Sequence, residues 1–296
     1  MTNSTMLKSS FVGLLAAAMA FFASCDKNTT PQPEPAALQE EKMQNLSYGA
    51  NDRNKMDVYL PKNRDANTPF VVLIHGGSWV SGDKGDMHAM QDSLLVRGIA
   101  SASINYRYAS GTVHYEQLME DVGAAVSQCR QKADEWKVRK DKWVLGGASA
   151  GAHMAMLYAH RFNTQYSIGA AISAAGPTDL TDTDWLNYAA FINQLGNIQS
   201  MVGAQYYLGQ QLDARFAAAS PIKGVKNIPT LMIHGDGDLV VAYTQSQKMR
   251  NVMNTAGYTN KLVTIAGANH DLGLSNPTNA KLVVSEIAAW VNTYGK

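Results

Sequence analysis

A serine flanked by glycines lies in the segment Gly147–Gly151, which has the pattern G-x-S-x-G. The apolar segment Trp143–Leu145 before it predicts a strand, and the segment after it predicts a helix, so the serine falls at a sharp strand-to-helix turn. Such a turn needs small neighbours because its backbone is strained. It exposes the Ser149 hydroxyl at a helix N-terminus, where developing negative charge is stabilised. Ser149 is therefore predicted to be a nucleophile, and a glycine-rich turn with a coincidental serine is the alternative.

A second glycine-rich segment, His75–Trp79, directly follows the apolar segment Phe70–Ile74. Gly76 and Gly77 allow backbone N–H groups to approach a substrate oxygen closely. Together with the N–H of Ala150, they are predicted to form an oxyanion hole for a tetrahedral intermediate. A purely structural turn is the alternative for this motif taken alone.

The two motifs together resemble the α/β-hydrolase fold, and within it the H-G-G esterases related to hormone-sensitive lipase, to kynurenine formamidase and to bacterial feruloyl and acetyl-xylan esterases. The resemblance covers about residues 46–296. Asp57–Pro61 and Ser149–His153 look most like the polysaccharide-esterase branch. His75–Trp79 is equally similar to the H-G-G-x-W of the formamidases.

Two residues of the H-G-G-x-W segment are further candidates. Ser78 stands where the lipase branch has a third glycine, which departs from the lipase pattern. The resemblance implies that Ser78 and Trp79 contribute to substrate binding.

The fold implied by this resemblance orders its catalytic residues as serine, acid and histidine, each at the C-terminal end of a strand. The family pattern H-G-x-x-D places the acid at Asp238. Asp236 is its competitor, and calcium binding by this Asp-Gly-Asp segment is a further alternative. Of the seven histidines, His270 alone follows both Ser149 and Asp238. It is predicted to be the general base that takes the serine proton and returns it to the leaving group.

The segments that must position these residues alternate between strand and helix. Apolar segments predict strands at 56–60, 70–74, 99–106, 143–145, 170–173, 230–234 and 261–265. Helical periodicity predicts helices at 87–97, 115–136, 150–161, 241–256 and 279–293. Strands regularly separated by helices indicate an α/β class protein with a mostly parallel central sheet of about eight strands, flanked by helices.

Residues 179–220 interrupt this alternation and are rich in aromatic side chains. They predict an insertion over the sheet. Ordinary surface helices with buried aromatics and a cap that faces the substrate are both open interpretations.

The N-terminal residues 1–24 predict an export signal, with Lys8 followed by an apolar run that is too short to span a membrane. The residues before Cys25 resemble a bacterial lipoprotein signal, although Phe22 departs from the usual leucine; a plain secretory signal is the alternative. Residues 25–45 are then the lipidated cysteine and a flexible tether, and 46–296 the hydrolase domain. The expected location is the periplasm or the outer membrane of a Gram-negative bacterium, with membrane contact only through the lipid anchor.

Composition excludes several classes of protein. The net charge of +1 provides no electrostatic surface for a polyanion, so no nucleic-acid partner is expected. Two cysteines exclude a disulfide scaffold and a cysteine-based zinc cluster. No nucleotide-binding fingerprint or metal-ligand motif is present in the sequence, so neither a cofactor nor a metal is expected.

The resemblance and the motifs predict a serine carboxylic-ester hydrolase that works through an acyl-enzyme. The expected substrates are acyl or feruloyl esters of plant carbohydrate, or other small esters. An arylformamidase-like amide hydrolase or a peptidase is one alternative. A non-catalytic surface binding lipoprotein on a hydrolase scaffold is another, and the set of Ser149, Asp238 and His270 argues against it.

Overall fold

The computed structural model of the protein describes residues 37–164 and 168–295. Its strands are β1 Glu41–Ser47, β2 Lys55–Leu60, β3 Phe70–Ile74, β4 Ala100–Ile104, β5 Trp143–Ala148, β6 Ile168–Ala174, β7 Thr230–Gly235 and β8 Asn260–Ile265. They form one sheet in the order β1-β2-β4-β3-β5-β6-β7-β8. β2 pairs antiparallel with β1 and β4, and the other neighbouring pairs are parallel. The predicted mostly parallel sheet of about eight strands is confirmed.

Helices cover both faces of this sheet, as a parallel sheet requires. Within the described residues they are α1 His88–Leu95, α2 Tyr115–Trp136, α3 Ala150–Leu157, α4 Thr183–Phe191, α5 Leu195–Val202, α6 Ala214–Ala218, α7 Thr244–Thr255 and α8 Pro277–Tyr294. The bounds of α2 and β3 agree with the predicted segments. None of these helices is long and apolar enough to cross a membrane.

The central strand β3 illustrates how the sequence fills the core on both faces. Its five residues are all buried, and successive side chains point to opposite faces of the sheet. Val72 and Ile74 join the apolar cluster that contains α2 and α3. Val71 and Leu73 join a separate cluster that contains residues of α1 and α8. A strand buried on both sides must be apolar throughout, which is why its sequence was recognisable.

The predicted domain boundary at residue 46 is wrong. Residues 41–45 were assigned to a tether but belong to β1, which pairs with β2 along the edge of the sheet. Met43 and Leu46 are only half-buried, and a register shift between them accompanies a left-handed backbone at Asn45. An edge strand with most side chains in solvent has little apolar signal to find. The predicted signal 1–24 and Cys25 lie outside the described residues.

The predicted insertion at 179–220 carries α4, α5 and α6 between β6 and β7. Its aromatic residues divide into two groups. Trp185 and Phe216 are buried in the core, whereas Phe191 and Tyr207 are exposed. The insertion is therefore anchored to the core by some of its aromatic residues, and the part of it that borders the site is described next.

Candidate active site

The turn between β5 and α3 places Ser149 in a strained backbone conformation. Its φ is 53° and its ψ is −119°, a region that L-residues rarely occupy. A Cβ at position 147 would lie 2.4 Å from the backbone of Gly151, and one at position 151 would lie 2.1 Å from the carbonyl oxygen of Ile74. Both flanking positions therefore accept only glycine, and the geometry is that of a nucleophile elbow.

Ser149 is joined to two polar side chains from separate loops by a series of hydrogen bonds. His270, on the loop after β8, has Nε2 at 2.9 Å from the Ser149 Oγ. Its Nδ1 lies 2.7 Å from Oδ2 of Asp238, on the loop after β7. Since a carboxylate only accepts, Nδ1 donates and the lone pair of Nε2 faces the serine hydroxyl. This is the tautomer that a general base needs.

Asp238 is held as a charged group by its neighbours. Its side chain is buried, which alone raises the pKa of a carboxyl. Hydrogen bonds from His234, His270 and the backbone N–H of Val240 outweigh burial and hold the pKa of Asp238 well below its usual range. A second backbone N–H, from Val241, donates to the same carboxylate at 2.9 Å. The group is thus ionised at neutral pH and oriented by four donors.

The competing carboxylate, Asp236, has a different partner. It is exposed, and its Oδ1 accepts the backbone N–H of Gly267 at 2.6 Å. It fastens the loop that precedes His270 and is not the carboxylate beside the imidazole.

The loop after β3 approaches the serine from the other side. A Cβ at Gly76 would lie 3.3 Å from the Ser149 Cβ, so the backbone there reaches close contact with Ser149. Gly77, Ser78 and Trp79 follow with φ of 109°, 49° and 64°. Positive φ is costly for the two non-glycine residues, Ser78 and Trp79, so surrounding contacts must hold this loop.

One of those contacts was missed by sequence reasoning. The indole N–H of Trp79 donates to Nδ1 of His153 at 3.1 Å, and Nε2 of His153 donates to the carbonyl of Ala219 at 2.8 Å. Complete burial of His153 lowers its pKa to about 4, against the effect of the Ala219 hydrogen bond. His153 is therefore neutral and ties the loop after β3 to the end of the insertion. Its place four residues after Ser149, on the same helix, was the available signal.

His75 also stabilises this loop, through contacts with Tyr106. Its ring stacks on Tyr106 with centroids 4.4 Å apart, and the Tyr106 hydroxyl donates to the carbonyl of His75 at 3.2 Å. Arg53 donates to the carbonyl of Gly82 at 3.1 Å and lies over the ring of Tyr108. His75 is thus a structural residue of this loop.

A narrow cleft, the site cleft, borders Ser149 on the side of the insertion. Ser78 and Trp79, the predicted substrate-binding residues, line it together with Ser149 and Ala150. The insertion contributes further walls, namely Trp185, Gln194 and Ile198. The Ser78 hydroxyl donates to Oε1 of Gln194 at 2.9 Å, which joins the loop to the insertion. The open space is about 20 Å³.

The site has the groups for nucleophilic and acid–base chemistry. Among residues 37–164 and 168–295, no cluster of three or more His, Cys, Asp or Glu side chains is arranged to hold a metal ion. The site offers a hydroxyl, an imidazole, a carboxylate and the backbone of a glycine-rich loop.

Comparison with known proteins finds several esterases among the similar sequences. Esterase LipC of Mycobacterium tuberculosis is 26% identical over 265 residues, which cover 83% of this chain and 63% of that protein. The probable isoprenylcysteine alpha-carbonyl methylesterase ICMEL1 of Arabidopsis thaliana is 23% identical over 257 residues, covering 78% of this chain and 52% of that protein. The chain thus spans between half and two thirds of the length of these relatives.

A solved structure shares the fold. A truncated carbohydrate esterase from gut microbiota superposes with a TM-score of 0.68 at 20% identity, over 85% of this chain and 96% of that one. The family model named BD-FAE matches residues 56–253, a stretch that contains Ser149 and Asp238 and ends before His270. With two thirds of its length matched, the chain belongs to the BD-FAE family and has the α/β-hydrolase fold.

Proposed function

We propose that this protein is a carboxylic-ester hydrolase in which Ser149 is the nucleophile, His270 the general base and Asp238 the acid of a catalytic triad. The observation that carries the proposal is the continuous hydrogen-bond path from the Ser149 hydroxyl through His270 to the buried Asp238. The esterase relatives support the same class of reaction.

Acylation follows from the positions of these atoms. The Ser149 Oγ attacks the ester carbonyl while its proton passes to Nε2 of His270, and the charged Asp238 stabilises the imidazolium. The tetrahedral intermediate collapses, the C–O bond to the alcohol breaks, and His270 gives its proton to the departing oxygen. A water molecule activated by His270 then cleaves the acyl-enzyme and releases the acid.

The developing oxyanion needs donors on the side opposite His270. The backbone N–H groups of Gly76, Gly77 and Ala150 are the proposed oxyanion hole, which the close approach of Gly76 to Ser149 supports. Removing one such donor typically costs roughly 10² to 10³ in kcat.

We propose acyl or feruloyl esters of plant carbohydrate, or other small esters, as the substrate class. The name of the structural neighbour, a carbohydrate esterase, supports this. Ser78 and Trp79, which line the site cleft, are the proposed substrate-binding residues.

A fluorophosphonate probe tests the mechanism. It forms a P–O bond with an activated serine and releases fluoride, so the wild-type protein is expected to be labelled and the Ser149→Ala variant is not. Absence of labelling and of ester turnover in the folded wild-type protein would favour a non-catalytic binding protein on the same scaffold. A panel of p-nitrophenyl esters, feruloyl esters, acetylated xylan and N-formylkynurenine separates esterase from amidase activity.

The proposed location is the periplasm or outer membrane, by way of the signal at residues 1–24 and lipidation of Cys25. Stable anchoring of this kind depends on the acyl chains attached to that thiol. Cell fractionation of the full-length protein and of Cys25→Ala tests it. The variant is expected in the soluble fraction with unchanged kcat, and retention in the membrane fraction would contradict lipidation at Cys25.

A further inference from the structure

A second and much larger cavity also reaches the nucleophile. It lies between α1 and α8 on the opposite side of Ser149 from the site cleft, and Ser149 and His270 both line it. We refer to it as the chain cavity. Its volume is about 460 Å³, against about 20 Å³ in the site cleft. Pockets that hold small ligands occupy roughly 300 to 1,000 Å³, whereas ordinary packing gaps in protein cores are rarely larger than a water molecule.

The lining of the chain cavity is apolar. Its floor is the end of the sheet, with Leu73 of β3 and Ile172 of β6. One wall is Met90 of α1, and the other is Val284 and Ile287 of α8. Methionine and branched aliphatic side chains offer dispersion contacts but no good hydrogen-bond partner for a hydroxyl group.

Gly146 keeps the floor open. A Cβ at this position would lie 3.2 Å from the Cβ of Ile172 and 3.8 Å from Cδ2 of Leu73, so the missing side chain faces the chain cavity. Position 147, by contrast, faces α3 and is glycine because of the elbow. Gly146 and Gly147 are thus glycine for different reasons, and the turn at Ser149 does not require Gly146.

Charge at the rim restricts what enters. Asp86 and Asp271 line the cavity and are exposed. Two carboxylates disfavour an anionic ligand such as a free fatty acid. A sugar is disfavoured as well, because its hydroxyls would lose hydrogen bonds to water without finding partners along the apolar walls. A neutral hydrocarbon chain fits both conditions.

We propose that the chain cavity binds an unbranched hydrocarbon chain of about eight to twelve carbons that belongs to the ester substrate, with the scissile carbonyl at Ser149. This inference rests on the proposed ester hydrolysis and selects, among the proposed acyl esters and small esters, those that carry a chain of this length. The volume accommodates at most about fifteen groups the size of a water molecule, which sets the upper length. The chain is carried either by the acid or by the alcohol half of the ester.

Two substrate series identify the half that carries the chain. The acyl series runs from p-nitrophenyl acetate to p-nitrophenyl dodecanoate, and the alcohol series from ethyl acetate to dodecyl acetate. In one of them kcat/KM is expected to rise with length, by up to about fourfold per methylene, and to level off near ten carbons. A flat profile in both series would overturn the inference.

A cavity-filling variant locates the chain. Val284→Phe projects a ring into the chain cavity and is expected to lower the ratio of kcat/KM for the ten-carbon ester to that for the shortest ester by at least tenfold. Leu282→Phe is the matched control, because Leu282 lies on the same helix, is 39% exposed and does not line the cavity. Its ratio is expected to match that of the wild-type protein, and equal ratios in the two variants would contradict the assignment.

Ser93→Leu fills the chain cavity from α1. It is the second test of the cavity if Val284→Phe does not fold. Ser93 lines the cavity and is half-buried, so leucine there adds apolar volume without disturbing α8. It is expected to lower the same ratio, and an unchanged ratio in this folded variant would count against the chain cavity.

A binding measurement separates the inference from the proposed reaction. Decan-2-one is neutral and contains no ester bond, and calorimetry is expected to detect its binding to the wild-type protein and weaker binding to Val284→Phe. Binding without turnover of any ester would remove the proposed function and leave the cavity as a lipid site. Ester turnover without chain-length dependence and without ketone binding would remove the chain cavity and leave the proposed function.

Discussion

His270 and His153 both lie beside Ser149, and their surroundings differ. His270 stands on a loop, its side chain 26% exposed, between a hydroxyl and a charged carboxylate. His153 is fully buried between the indole N–H of Trp79 and a backbone carbonyl. The first environment places the imidazole between a hydroxyl and a carboxylate, and the second keeps the imidazole neutral. Residue type therefore does not distinguish a base from a support, whereas burial and partners do.

Removing His270 or Ser149 has the largest expected effect. His270→Ala and Ser149→Ala are each expected to lower kcat by at least roughly 10³, because the triad acts as a unit. Steady-state kinetics on a p-nitrophenyl ester, with circular dichroism as the check on folding, measures this. Turnover near the wild-type rate in either variant would remove that residue from the mechanism.

The carboxylate behind His270 comes next. Asp238→Asn is expected to lower kcat by roughly 10² or more, because the imidazole loses the acceptor that sets its tautomer. Asp236→Asn is the control, since that carboxylate contacts the backbone N–H of Gly267. It is expected to change kcat by less than about threefold. A larger loss in Asp236→Asn than in Asp238→Asn would reverse the two assignments.

The buried histidine is expected to act through the loop after β3. His153→Leu leaves the Trp79 indole and the Ala219 carbonyl without partners, so the backbone donors of Gly76 and Gly77 lose support. We expect kcat to fall about tenfold with little change in KM, as for weakened transition-state stabilisation. His153→Gln, which can accept and donate, is expected to recover part of the loss.

A double-mutant cycle tests that path. If His153 acts through Trp79, the losses in kcat of His153→Leu and Trp79→Phe are less than additive. Additive losses would show that His153 supports the site by another route.

The smallest expected effect is on acid stability. Burial lowers the pKa of both His153 and His160 to about 4, from 6.5 in an unfolded chain. Between pH 6.5 and 4 the unfolded state binds more protons, so the free energy of unfolding falls as the pH drops, and this contribution is complete only above pH 6.5. Replacing His153 by Gln is expected to reduce the slope of the free energy of unfolding against pH by up to about 1.4 kcal/mol per pH unit. Urea unfolding at several pH values measures it, and an unchanged slope would contradict the lowered pKa of His153.

Much of the site was predictable because its requirements are local. The elbow at Gly147–Gly151 needs glycine at two positions of one turn, and the loop His75–Trp79 needs left-handed backbone within a few residues. Each requirement restricts the residue types within a stretch of five residues. The central strand β3 was predictable for a similar reason, since burial on both faces leaves no polar position.

Parts of the fold with weak local requirements were not predictable. β1 is polar and half-exposed, and it is held mainly by backbone pairing with β2, which almost any sequence can make. The aromatic residues of the insertion gave no indication that Trp185 would be buried and Phe191 exposed. That division depends on which helix face meets the core.

From the residues alone one obtains the α/β architecture, the serine turn and the glycine-rich loop, and the family resemblance adds a histidine placed by chain order. The contact of Asp238 with His270, the link from Trp79 to His153 and the chain cavity emerge only when distant elements pack. These contacts join residues 32 and 74 positions apart, and the cavity combines two helices with the sheet. The conformation of a turn depends on residues that are adjacent in the chain, so a short stretch of sequence predicts it. Which side chains meet across the core depends on the packing of whole helices and strands, and no single segment encodes it.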